Sequence, residues 1–81
     1  MKRSLTELKP HEVLGVAISM ETRNAAIYSN YAEMFRGYDP EIEHTFIEMA
    51  AEEVRHGGEL AVLYSQKFGD LKCAVTDEDV W

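Results

Sequence analysis

Cysteine is nearly missing from this chain: Cys73 stands alone among 81 residues, so no internal disulfide forms and the compartment expected is the cytoplasm or another reducing space. Long apolar runs are missing too. No stretch approaches the roughly 20 residues that cross a bilayer, and the start Met1-Lys2-Arg3-Ser4-Leu5-Thr6 leads into no apolar core of a secretion signal. Basic residues are scarce, with 8 Lys and Arg against 15 Asp and Glu, and Lys2, Arg3 and Lys9 are the only cluster. A net charge of −7 distributed this way argues against nucleic acid and anionic membranes as partners and suits cations. Proline occurs twice, at Pro10 and Pro40, and no repeat or low-complexity segment interrupts the chain.

With 46% hydrophobic content the chain reads as one small domain whose core is limited by its size, so oligomerisation or a metal is expected to complete it. The pattern is all-α. Residues 1–9 are a polar N-terminal segment in which Ser4 and Glu7 are spaced as a capping box. Pro10 suits the first turn of a helix running to about Arg36, roughly 40 Å long. Gly37 suits a left-handed helix terminus, Asp39 an N-cap and Pro40 the first turn of a second helix ending at about Phe68, before Gly69. So short a connection makes the two helices antiparallel neighbours, and residues 10–69 form a helical hairpin. Residues 70–81 are an acidic tail, with Val75, Val80 and Trp81 available for packing.

Chemistry enters through Glu53 and His56. A Glu-x-x-His pair lies about 60° apart and one turn along a helix, so both side chains reach one point. The pair interrupts an apolar face made by Ile42, Phe46, Met49, Ala50, Gly57, Leu60 and Tyr64. Glu41 and His44 repeat the spacing, but His44 points away from that face and reads as surface. On the first helix Glu21 is set among Leu14, Ala17, Ile18, Asn24, Ala25, Tyr28, Ala32 and Phe35. Hairpin geometry then brings the three together, because a turn centred on Gly37 and Tyr38 puts Glu21 level with Glu53 and His56. Glu48, Glu52, Arg55 and Glu59 fall on flanking faces at ion-pairing distance and read as solvated, although Glu52 adjoins a ligand. His11 is too far along the helix to join, and Met20, Met34 and Met49 read as packing. Gly57 faces inward beside His56, and Gly58 points outward without an evident role.

Each inward face of a lone hairpin stays open on its far side. A two-fold homodimer closes it into a four-helix bundle with four glutamates and two histidines at its centre, a ligand set suited to two divalent cations. Oxygen and imidazole donors favour iron, with manganese or zinc as alternatives. A metal-free helical module for protein interaction is the competing reading, and the level match of Glu21 with Glu53 and His56 stands against it.

Glu21, Tyr28 seven positions later, and Glu52-Glu53-Val54-Arg55-His56 resemble the ferritin-like proteins of the rubrerythrin group over about residues 12 to 66. The arrangement is most similar to the half-length encapsulated ferritins, in which two chains build one ferroxidase centre. That resemblance implies two iron ions per dimer, Glu21, Glu53 and His56 as ligands, Tyr28 beside the centre, and oxidation of ferrous iron by dioxygen or peroxide. It also implies a second function, a peroxide or oxygen reductase fed by an external electron donor, since this sequence has no four-cysteine rubredoxin segment. Met20 and Arg23 stand where the encapsulated ferritins carry an acidic pair about the first ligand. The end Thr76-Asp77-Glu78-Asp79-Val80-Trp81 is no clear shell-targeting peptide, so it lends no support to the encapsulating shell that the resemblance allows, and oligomers above the dimer are compatible.

Overall fold

The computed structural model describes residues 7–69 and is an antiparallel hairpin of two helices, α1 from Pro10 to Phe35 and α2 from Pro40 to Phe68. The expected pairing of Ser4 with Glu7 and the packing of Val75, Val80 and Trp81 lie outside the described residues. No strand and no helix long and apolar enough to cross a membrane occur among the described residues.

Local chemistry sets each helix end. Pro10 opens α1, and the Lys9 N–H donates to Glu12 Oε1 at 2.9 Å, satisfying a backbone donor that the first turn leaves free. Gly37 takes φ 75°, a conformation costly for any residue with a Cβ, and the Tyr38 and Asp39 N–H groups turn back onto the Phe35 carbonyl. Asp39 Oδ1 then accepts from the N–H groups of Glu41 and Ile42, both at 3.1 Å, capping α2, with Pro40 in its first turn. Glu41 and Glu43 in that turn and Lys67 in the last one suit the helix dipole.

Aromatic contacts record the register. Near the turn, Phe46 stacks against Phe35 at 6.0 Å and Tyr28 at 6.2 Å and meets Tyr31 edge-on at 5.2 Å between ring centres. At the far end His11 packs on Phe68 at 5.9 Å. Small residues, Ala25 and Ala32 of α1 and Ala50 of α2, are all buried. A Cβ placed on Gly57 would touch the Cβ of Glu21 at 3.5 Å, so the helices run close there.

The hairpin alone encloses little. Among the described residues the buried hydrophobic ones are Val16, Ala25, Ala32 and Ala50, and no large side chain is fully buried. Val13, Ile27, Tyr31, Ile42 and Leu63 are exposed. Ile42 departs from the expected inward face because α1 covers only one sector of α2, and a residue beyond that sector stays open to solvent. Val16 departs in the other direction: it is only 2% exposed, although it lies about 140° around α1 from Glu21.

Candidate metal centre

Midway along the hairpin, Glu21 of α1 meets Glu53 and His56 of α2. Each offers a donor atom, and the three donors lie within 4.8 Å of one another, with all three residues half-buried. The helices produce this without strain. Glu53 and His56 share a face by their three-residue spacing, and Gly57, one residue on, removes the side chain that would stand against Glu21. Glu48, Glu52, Arg55 and Glu59 line the flank as expected. Arg55 donates to Glu52 at 2.8 Å and to Glu59 at 2.9 Å, both exposed pairs, and His44 pairs with Glu48 at 2.9 Å on the surface.

Electrostatics marks the triad as incomplete. Glu21 Oε2 is buried and accepts no hydrogen bond, although it faces His56 Nδ1 at 3.9 Å. The Glu21 carboxyl is held above the usual carboxylate range, first by a hydrogen bond with Glu53 that requires a proton, then by burial and by the Glu53 charge, with His56 acting in the opposite direction. Two carboxylates and an imidazole converging on one point, with a buried oxygen that accepts no hydrogen bond, are a donor set that a divalent cation satisfies, since it takes one donor atom from each residue and offsets the repulsion between the carboxylates. Oxygen and nitrogen donors of this kind fit iron, manganese or zinc.

Tyr28 takes its aromatic contacts on the turn side. Its ring is stacked on Phe46 and meets Tyr31 at 6.5 Å, within the aromatic cluster on the turn side of the triad. Glu52, assigned to the solvated flank from the sequence, also reaches the site, with Oε2 at 3.6 Å from His56 Nε2. Its signal in the sequence is the four-residue spacing to His56, which places the two side chains one turn apart on adjoining faces.

An antiparallel pair of helices that presents one glutamate from the first and Glu-x-x-His from the second is half of a ferritin-like carboxylate metal centre. The family model described as Rubrerythrin matches residues 12–81, and the chain belongs to the rubrerythrin family. Membership makes it a ferritin-like protein of a family that typically binds iron, with Glu21, Glu53 and His56 as the group able to hold metal. No curated protein and no solved structure matches the chain.

Proposed function

We propose that the chain is a non-haem di-iron protein with ferroxidase-type activity, in which two copies build one centre that oxidises ferrous iron with dioxygen or peroxide. The observation that carries this reading is the buried, unpartnered Glu21 Oε2 turned toward Glu53 and His56. Bound iron supplies the electrons, one from each ferrous ion, to the oxidant. The chain's own residues do the rest. Burial and the neighbouring Glu53 disfavour the charged form of Glu21, and a cation held there favours it. Glu21 and Glu53 then offer anionic oxygens that favour the more highly charged oxidised ion, and His56 offers a neutral nitrogen as terminal ligand.

Sharing between two copies is supported by the faces left uncovered. Around α1, Ala25 lies about 40° to one side of Glu21, toward α2, and Val13 and Tyr31 lie about 80° to the other side. Around α2, Ala50 and Gly57 lie on the α1 side of Glu53 and Leu63 lies opposite, next to His56. The triad is therefore covered on one side by the hairpin, and further along the other side Val13 and Leu63 leave apolar surface exposed. A second hairpin placed there by two-fold symmetry covers them and brings the centre to four glutamates and two histidines for two ions. This is the arrangement expected from the likeness to encapsulated ferritins, and a cytoplasmic, reducing setting suits ferrous iron and the lone Cys73 alike.

Anaerobic addition of ferrous iron followed by air tests the activity. The chain is expected to develop ferric absorbance with the iron it binds, and Glu53→Ala and His56→Ala are expected to abolish it. Undiminished oxidation in both variants would remove the assignment. Family membership also accommodates a peroxide or oxygen reductase that draws on an external donor. Steady peroxide consumption driven by added reductant, without net iron turnover, is the outcome that selects it.

A further inference from the structure

On the side of Glu21 away from α2, the surface of α1 repeats every seven residues. Val13, Met20, Ile27 and Met34 form one row, and Ala17, Asn24 and Tyr31 form a second, four residues on from the first. Two rows with that period and offset are the pattern by which one helix packs against another, because each side chain of one helix drops into a gap between side chains of the other. The hairpin leaves most of this seam open, with Val13, Ile27, Tyr31 and Met34 all exposed. Its two halves differ in relief. Toward the turn, Tyr31 and Met34 are large, and Met34 is 74% exposed. Toward the open end of the hairpin, Val13 and Ala17 border an apolar groove whose other walls include Leu14, Leu63 and Phe68. Asn24, the only amide in the seam, is half-buried between the two halves, seven residues from Ala17 and seven from Tyr31, or roughly 10 Å each way.

Resting on the shared-centre reading above, we propose that a second copy docks along this seam, its α1 antiparallel to the first across a two-fold axis at Asn24. In such a pair, residues equally far before and after the axis face each other. Ala17 then meets the partner's Tyr31, and Val13 meets the partner's Met34 to within one residue, so the large side chains near each turn enter the groove at the open end of the other hairpin. The surface is its own complement, small against large on both sides of the axis. Asn24 meets the partner's Asn24, and two amides facing each other across a two-fold each donate to the other and accept from it. A slip of register in the antiparallel pair separates the amides and leaves each against apolar side chains, while a parallel pair sets tyrosine on tyrosine and alanine on alanine. Asn24 therefore specifies register, the part that a single polar residue plays in a helical seam. Glu21 lies one turn from Asn24, so one axis serves both the seam and the centre.

Single-cysteine chains read the register directly. In the full chain with Cys73→Ser, Ala17→Cys and Tyr31→Cys chains are mixed at a concentration where the unaltered protein is dimeric and oxidised gently. The principal disulfide is expected to join position 17 of one chain to position 31 of the other. Like positions lie fourteen residues apart along antiparallel helices, roughly 20 Å, beyond the reach of a disulfide, so neither chain alone is expected to cross-link. Asn24→Asp sets two like charges at the axis and is expected to raise the dimer Kd by about 100-fold. Asn30→Asp, the same change at an exposed position on the outward face of α1, is expected to leave Kd unchanged, and circular dichroism is expected to show equal helix content in both. Dimers in which 17 to 31 is not the principal disulfide, or an Asn24→Asp chain that associates as tightly as the unaltered one, overturn the proposal and leave a shared centre standing. A chain that stays single while it binds its full iron overturns the shared centre beneath it.

Discussion

Replacing Glu21 by glutamine is expected to do two opposite things, stabilise the metal-free protein and destroy its metal binding. At the outer limit of 4.8 Å between donors, two full negative charges on Glu21 and Glu53 repel by about 3.5 kcal/mol at an effective dielectric of 20 and by about 0.9 kcal/mol in water. Both residues are half-buried, so the true cost lies between these limits, and proton uptake by Glu21 caps it. Glu21→Gln removes one charge, keeps the shape, and lets an amide N–H donate to Glu53. The expected gain is about 1 kcal/mol, which for a domain of this size raises Tm by about 4–8 °C. The assay is thermal or urea unfolding of chelator-treated protein above neutral pH, at one fixed chain concentration because association also shifts Tm. Added Zn²⁺ is then expected to raise Tm of the unaltered protein and leave Glu21→Gln unmoved. A metal-free variant less stable than the unaltered chain, or one that still gains from Zn²⁺, would refute the reasoning.

The same carboxyl predicts a pH dependence. Its folded pKa is raised, so the folded state holds its proton more tightly than the unfolded chain, and the resulting stability is fully present below the ordinary carboxylate pKa and lost as pH rises through the elevated one. Unfolding of metal-free protein across that window, with Glu21→Gln as the flat comparison, checks the sign. Asp39→Ala removes an acceptor for two N–H groups at the start of α2 and is expected to cost about 1 kcal/mol in urea unfolding. Gly58→Ala adds a Cβ that meets nothing within 4 Å, so it is expected to stabilise α2 by up to about 1 kcal/mol. Gly37→Ala, at φ 75°, is expected to destabilise by about 1 kcal/mol or more in the same measurement.

The turn was legible because its determinants are local. Gly37, Asp39 and Pro40 each admit few backbone conformations, and together they fix where α1 ends and α2 begins. The triad followed from the turn, since an antiparallel hairpin closed there leaves Glu21 level with Glu53 and His56. What the sequence could not give is which sector of each face its neighbour covers. A helical wheel counts Ile42 as inward, yet α1 leaves it exposed, and it counts Val16 as peripheral, yet Val16 is buried. Tyr28 shares a face with Glu21, and the wheel does not show that its ring is stacked on Phe46. Glu52 and Arg55 carry the pattern of any exposed ion pair, and only coordinates show His56 between them and the centre.

Native mass spectrometry of the chain titrated with ferrous iron under anaerobic conditions measures subunit count and metal count in one species. A centre shared between two copies predicts dimers, or assemblies of dimers, saturating at about one iron per chain, with ions taken up in pairs. A single chain that binds its full complement of iron unpartnered, or a dimer that takes up none, would contradict it.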